Sequence, residues 1–133
     1  MSKSDKQDAY LSMFEESGAI KKKIGTAVTD TGNQVAYNPQ RKPGISNLLT
    51  IYSLFSGKSI SSLEKKFKGK GYAAFKKSLT ELLIKELTPF GKKKQELLSR
   101  QLYVQEILHQ GAQKAQTIAT HTMEEVRKRV GIA

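Results

Sequence analysis

One long amphipathic segment, residues 71–98, constrains the fold of this chain more than any other feature. Its apolar residues recur at helical spacing on one face, whereas charged residues spaced by four lie on the other. The apolar residues are Phe75, Leu79, Leu82, Leu83 and Leu87. Pro89 removes a backbone donor, but Leu97 and Leu98 resume the apolar pattern, so we expect a kinked helix rather than an interrupted one.

Helical spacing recurs along most of the remaining chain. Apolar residues follow it at 15–29, 45–57, 61–69, 102–108 and 112–130. Gly57 is a natural stop for the second of these segments, and Ser61 with Glu64 is predicted to form a capping box for the third. The last segment carries a stripe of small residues that favours close helix packing. These residues are Ala115, Ala119, Thr122, Val126 and Val130.

Two stretches lack the helical pattern. Three turn signals lie between Asp30 and Gly44 and leave room for at most one short strand, at residues 34–37. Residues 9–14 could be extended or could begin a helix, and we favour the extended form. The sequence therefore predicts one all-α domain: a helical bundle of about five to six helices, with one long Pro-kinked helix and a structured loop.

The charge of the chain indicates its partner. The formal net charge is +11 and the isoelectric point is about 9.9, so we expect a polyanionic partner, with nucleic acid first. Much of this charge lies between Lys65 and Arg100. Aromatic residues make up 8% of the chain, which favours phosphate contacts over base stacking. The chain has no cysteine and no apolar run long enough for a spanning helix, so a cytoplasmic protein with no membrane partner is expected.

Patterns that could indicate catalysis or metal binding are weak. Gly57-Lys58-Ser59 is like the end of a phosphate-binding loop, but Tyr52 stands where that motif needs its first glycine. His109 and His121 are too far apart to share a helix face, so no metal site is predicted. No serine, histidine and aspartate set indicates nucleophilic catalysis. A self-contained enzyme is therefore not expected.

The first five residues, Met1-Ser2-Lys3-Ser4-Asp5, allow two interpretations. A short polar run after a methionine is typical of a disordered terminus. The two hydroxyls, the backbone N–H groups and the single ammonium are equally suited to surround a polyphosphate. These residues alone do not decide between the two.

Four runs taken together favour the polyphosphate interpretation. They are residues 1–5, Ala27-Val28-Thr29-Asp30, the stretch from Lys42 to Ser53, and Gly69-Lys70-Gly71-Tyr72. Together they resemble the C-terminal portion of bacterial-type tryptophanyl-tRNA synthetases, over essentially the whole chain. The part from Pro43 to Ser53 is the most specific, whereas the Ser-Lys-Ser loop is shared across class I synthetases.

The resemblance implies that the chain is a fragment that starts within the family's Lys-Met-Ser-Lys-Ser motif. Residues 1–8 would be the remnant of the ATP-binding loop, and residues 9–133 would be the helical domain that binds the tRNA anticodon. The N-terminal nucleotide-binding half, with the tryptophan pocket and most of the dimer interface, would be missing, so the fragment is expected to be inactive alone. The chain departs from the family at Lys6, where a proline commonly follows the aspartate.

The same resemblance implies substrates, partners and site residues. Met1, Ser2, Lys3 and Ser4 would bind ATP, and Lys3 would be the catalytic residue that contacts the phosphates as pyrophosphate leaves. ATP with Mg²⁺ is the expected substrate of the parent tryptophan-tRNA ligase, and no cofactor is expected on the fragment. The expected partners are tRNA(Trp) and, in the parent enzyme, a second subunit of a homodimer.

Charge density, rather than the resemblance, selects the candidate tRNA phosphate contacts. They are Lys76, Lys77, Lys92, Lys93, Lys94 and Arg100. Two rival functions remain open. One is a free-standing basic helical module that binds nucleic acid nonspecifically, and the other is a helical interaction protein whose lysines only keep it soluble.

Overall fold

The computed structural model describes residues 10–132, and these form five α-helices and no strand. The helices are α1 (Ser17–Thr26), α2 (Pro43–Ser56), α3 (Ile60–Phe67), α4 (Gly71–Ser99) and α5 (Gln101–Val130). The all-α prediction is thus confirmed. The chain divides after Lys92 into two compact units. Within residues 10–132, no helix is both long enough and apolar enough to cross a membrane.

The first unit has a core to which all of its helices contribute. Its largest fully buried side chains come from α1 to α4 and have almost no exposed surface. They are Ile20, Ile45, Leu49, Leu63, Phe75, Leu79 and Leu83. Burial of a side chain of this size contributes about 1.5–3 kcal/mol. The amphipathic pattern of residues 71–88 therefore identified the central helix of this core correctly.

Three aromatic rings join α2, α3 and α4 inside the core. The ring centroids of Tyr52 and Phe67 are 5.7 Å apart, those of Tyr52 and Phe75 are 5.8 Å apart, and those of Phe67 and Phe75 are 5.1 Å apart. Two of the three pairs meet edge to face, which is a favourable geometry for aromatic rings. The cluster fixes how the short helix α3 lies against its two neighbours.

Several predicted boundaries in the first unit were wrong. Helix α1 ends at Thr26 rather than at residue 29, and Val28, predicted on its apolar face, is 86% exposed. At residues 34–37, where the sequence left room for at most one short strand, none forms, although Val35 is buried. Residues 11–16 contain a turn and coil, so α1 begins at Ser17 rather than at residue 15.

The capping box predicted for α3 does not form. The N-cap residue is Ser59, whose side chain accepts a hydrogen bond from the backbone N–H of Ser62. Glu64 instead accepts a hydrogen bond from the backbone N–H of Tyr37, at 2.7 Å. The loop between α1 and α2 therefore binds the carboxylate that the sequence pattern had assigned to the cap, while Ser61 lies inside the helix.

The C-terminal helices differ from the prediction in number. Pro89 lies inside α4 and does not end it, as expected. Two helices were predicted after Arg100, but α5 is one helix of 30 residues, because the segment around Gly111 stays helical. The small-residue stripe predicted for close packing lies on α5 and is exposed in the second unit.

Candidate nucleic-acid interface

A polar cluster fastens the loop between α1 and α2 to the start of α4. The hydroxyl of Tyr72 donates to both carboxylate oxygens of Asp30, at 2.8 and 2.7 Å, and the backbone N–H of Gly32 donates to the same carboxylate at 2.8 Å. The hydrogen bond from Tyr72 lowers the pKa of Asp30, and Gly32 and Lys42 add to this effect against the opposing effect of burial. Asp30 is thus held as a carboxylate.

Lys42 completes this polar cluster. Its ammonium donates to the carbonyl oxygen of Gln34 at 3.2 Å and to the hydroxyl oxygen of Tyr72 at 3.0 Å, and it lies 3.3 Å from Asp30. The hydrogen bond to Tyr72 is the main reason why the pKa of Lys42 is raised. Asn33 accepts the backbone N–H of Tyr72 at 3.2 Å, and so satisfies one of the free donors at the start of α4.

The Lys-Pro-Gly run at residues 42–44 also has a structural explanation. Pro43 is the first residue of α2, where its missing N–H costs nothing. Gly44 follows it, and a Cβ added there would overlap the carbonyl oxygen of Val28. The loop after α1 can approach α2 this closely only because residue 44 has no side chain.

The predicted ATP-binding residues Met1, Ser2, Lys3 and Ser4 lie outside the described residues. The described chain begins with Tyr10, and the turn that follows it is held by Lys23. In the lysine run at residues 21–23, only Lys21 and Lys22 are exposed. Lys23 is turned inward, which the charge pattern did not predict.

Lys76, one of the candidate phosphate contacts, forms hydrogen bonds within the protein. Its ammonium donates to the carbonyl oxygens of Gly25 at 3.1 Å and Ala27 at 2.7 Å. These carbonyls lie at the C-terminal end of α1, where a cation is favourable because it satisfies free acceptors and the helix dipole. Lys76 therefore serves as a cap that ties α4 to α1.

Lys77 has a different environment from Lys76. It is exposed and forms no ion pair with another residue in the range 10–132. It borders an open groove of about 660 Å³ between α1 and α4. The groove is lined by Lys21, Gly25, Ala73, Lys76, Lys77, Thr80, Glu81 and Ile84. Its cationic rim is suited to a phosphate chain, and Glu81 is the only acidic side chain in this lining.

The other candidate cations lie at the C-terminal end of α4 and just beyond it. Lys92, at the end of the first unit, is exposed. In the second unit, Lys93 lies 2.8 Å from Glu96, and Arg100 lies 3.6 Å from the same carboxylate and 4.6 Å from the ring centroid of Tyr103. The hydrogen bond from Lys93 lowers the pKa of Glu96.

These contacts distinguish the candidate phosphate-binding residues of the second unit from one another. Lys93 and Arg100 are partly neutralised by their shared carboxylate, Glu96. Lys94 is exposed on α4. The strongest candidates for contacts with an external phosphate are therefore Lys77 and Lys92, which are exposed and form no ion pair in the described part of the chain.

The described residues contain no group of three or more His, Cys, Asp or Glu side chains that could hold a metal ion. His109 contacts Gln113 on the exposed surface of α5, and His121 is exposed on the same helix. Gly57 ends α2 with a φ of 67°, and Ser59 caps α3. The Gly57-Lys58-Ser59 run is thus a helix stop followed by a cap, as the sequence favoured.

Comparison with known proteins gives a consistent result. The family model of tRNA synthetases class I (W and Y) matches residues 1–88. Tryptophan-tRNA ligase of Oceanobacillus iheyensis is 43% identical over 133 residues, which cover 99% of this chain and 40% of the relative. Tryptophan-tRNA ligase 2 of Streptomyces avermitilis is 42% identical over 121 residues, which cover 91% of this chain and 36% of the relative.

Among solved structures, the tryptophanyl-tRNA synthetase from Mycoplasma pneumoniae matches with a TM-score of 0.64 and 29% identity. The match covers 72% of this chain and 32% of that chain. The chain spans about 40% of the length of the curated relatives that it matches.

Proposed function

The chain belongs to the class I tRNA synthetases of the tryptophan and tyrosine group, and on this premise we propose that it is part of a tryptophan-tRNA ligase. Such an enzyme activates tryptophan with ATP and transfers it to tRNA(Trp). The observation that carries the proposal is the identity of 43% to a tryptophan-tRNA ligase over 99% of the chain. Residues 1–8 would contribute part of the ATP loop, and residues 9–133 would bind the tRNA.

Lys3 is the residue that we assign to catalysis. As pyrophosphate leaves ATP, negative charge grows on the departing phosphate oxygens. An ammonium that reaches these oxygens as the loop closes stabilises the transition state more than the ground state, and so it raises kcat. Met1, Ser2 and Ser4 would shape the loop around the phosphates, with Mg²⁺ accompanying ATP. The rest of the ATP and tryptophan site would come from outside these 133 residues, so the chain alone would be inactive.

Anticodon binding is the role that we assign to the helical part. An anticodon loop exposes bases that a protein reads by their edges, while basic residues hold the phosphates and set the register. The net charge of +11 supports this role, and Lys77 and Lys92 are the exposed cations best suited to the phosphates. Lys76 would act indirectly, because it caps α1.

We further assign the protein to the cytoplasm and to a homodimer, on the basis of the family resemblance. In such a dimer, the helical domain of one subunit would receive a tRNA that is held largely by the other. The interface would lie mainly outside these residues.

A fusion protein tests the proposal. The chain replaces the matching 40% of the Oceanobacillus iheyensis ligase, and tryptophan-dependent ATP–pyrophosphate exchange is measured. Exchange is expected in the fusion, and Lys3→Ala should lower kcat about 10²–10³-fold without changing the KM for tryptophan. Lys6→Ala, which removes a nearby lysine outside the motif, is the control. An inactive fusion, or equal kcat values for the two variants, would refute the proposal.

A further inference from the structure

Lys23 has an environment that none of its neighbouring lysines shares. Its side chain is only 9% exposed, although it lies in a run of three lysines on α1. The ammonium donates to both carboxylate oxygens of Glu15, at 2.8 and 3.0 Å, and to the backbone carbonyl oxygen of Tyr10, at 3.0 Å. It also lies 5.2 Å from the ring centroid of Tyr10. The three ammonium protons therefore have three acceptors inside the protein.

Glu15 extends this contact into the segment that precedes α1. Its side chain is 14% exposed, and its carboxylate also accepts the backbone N–H of Ser12 at 2.9 Å. The backbone N–H of Glu15 donates in return to the carbonyl oxygen of Ser12 at 3.2 Å. Burial opposes ionisation of Glu15, but the hydrogen bonds from Lys23 and Ser12 outweigh it, so the pKa of Glu15 is lowered. Residues 10–15 are thus fastened to α1 through one ammonium.

The contact of Lys23 with Glu15 and Tyr10, which we call the anchor, lies close to Lys3 in the sequence. Only seven peptide units of sequence separate Lys3 from Tyr10. In the proposed function, the segment held by Lys23 is therefore the part of the helical domain that follows the ATP loop in sequence. A displacement of a catalytic group by about 1 Å can lower a rate by up to a hundredfold.

We propose that Lys23 is a positioning residue for the ATP loop, acting through Glu15 and Tyr10. This inference rests on the proposed function, because it assumes that Lys3 contacts ATP. Lys23 itself touches no substrate. It fixes the position of the first residues of the helical domain, which follow the ATP loop in sequence. Lys21 and Lys22 are exposed on the same helix and cannot replace it.

The anchor can be tested first on the 133-residue chain. We would measure amide hydrogen exchange at Ser12 by NMR in Lys23→Gln, in Glu15→Gln and in the matched control Lys22→Gln. Loss of the anchor should speed exchange at Ser12 about tenfold, whereas the control should behave as the wild type. Unchanged exchange at Ser12 in both Lys23→Gln and Glu15→Gln would overturn the inference, whatever the activity of the protein.

The catalytic consequence is tested in the fusion with the Oceanobacillus iheyensis ligase. Lys23→Gln and Glu15→Gln should each lower kcat for pyrophosphate exchange about tenfold or more, with the KM for tryptophan unchanged. The kcat of the double variant should be no lower than that of either single variant, because both substitutions break the same contact between Lys23 and Glu15. Lys22→Gln should retain the wild-type kcat.

The outcomes distinguish this inference from the function on which it rests. If the unsubstituted fusion is active and Lys23→Gln has the same kcat as Lys22→Gln, the positioning role is wrong and the proposed function stands. If kcat falls additively in the double variant, Lys23 does not act through Glu15, and the inference is overturned. If the unsubstituted fusion is inactive, the proposed function fails and the positioning role fails with it.

Discussion

Tyr72 donates its hydroxyl to the carboxylate of Asp30 across 42 residues of sequence, at distances of 2.7 and 2.8 Å. The contact joins the loop that follows α1 to the first turn of α4, and Lys42 lies against both groups. Two of the runs that carry the family resemblance, at residues 27–30 and 69–72, meet at this contact. Part of the family resemblance therefore lies in residues that contact each other in the folded protein.

Substitution of Tyr72 by phenylalanine should destabilise the first unit. The ring keeps its volume, but Asp30 loses its strongest donor, and we expect the free energy of unfolding to fall by about 1 kcal/mol. Urea denaturation measures the change. Tyr103→Phe, on the exposed surface of α5, is the matched control and should leave the midpoint unchanged. Equal midpoints for the two variants would show that the Tyr72 hydroxyl contributes nothing to stability.

The same contact should make stability depend on acid pH. The pKa of Asp30 lies below its ordinary value of 3.8 in the folded protein, so its contribution is complete above that value and disappears as the pH falls through the lowered pKa. The wild type should therefore be more stable than Asp30→Asn at pH 7, and the difference should shrink at a pH well below 3.8. Denaturation midpoints at both pH values test this, and a constant difference would contradict it.

Two glycines at equivalent helix positions should respond in opposite directions to alanine. Gly44 is the second residue of α2, and a Cβ there overlaps the carbonyl oxygen of Val28. Gly18 is the second residue of α1, and nothing lies within 4 Å of its Cβ position. Gly44→Ala should therefore cost about 1–3 kcal/mol, and Gly18→Ala should stabilise by about 0.4–1 kcal/mol. Thermal denaturation of both variants measures these changes. If Gly44→Ala had no effect on stability, the close approach of Gly44 to the carbonyl oxygen of Val28 would be contradicted.

Lys77 should contribute to RNA binding without contributing to stability. Lys77→Gln is expected to weaken tRNA binding and to reduce the slope of log affinity against log salt by about 0.7–0.9, since one phosphate contact is lost. The unfolding midpoint should not change. Lys114→Gln, at an exposed lysine of α5 outside the candidate set, is the control. A salt slope that falls equally in both variants would show that the groove beside Lys77 is not a specific contact.

The sequence predicted those features that depend on neighbouring residues. Gly57 is a local signal, because it supplies the positive φ that ends α2, and this end was predicted correctly. The start of α2 was not, because the Lys42-Pro43-Gly44 run was interpreted as a turn before a helix at residue 45, whereas Pro43 is the first residue of α2. The buried side chains of α4 were predicted from the helical spacing of its apolar residues. Phe55, by contrast, has the same spacing in α2 but is 41% exposed, so the spacing of a residue within its own helix does not decide its burial.

Features that depend on distant residues were missed. Lys76 was predicted to contact phosphate because charge density cannot show that its ammonium meets the end of α1 some 49 residues earlier in the chain. The inward orientation of Lys23 and the pairing of Tyr72 with Asp30 were not predicted for the same reason. Sequence patterns show that a cation is present, whereas the fold decides whether it faces a carbonyl, a carboxylate or solvent.

We propose that these helices bind tRNA(Trp) through its anticodon. The most direct test is the equilibrium affinity of the 133-residue chain for tRNA(Trp) and for the same tRNA with its anticodon exchanged for that of tRNA(Tyr), measured by fluorescence anisotropy. We predict at least about tenfold tighter binding of the native anticodon at every salt concentration from roughly 50 to 200 mM. Equal affinity for the two RNAs throughout this range would contradict anticodon binding and would favour a nonspecific basic module.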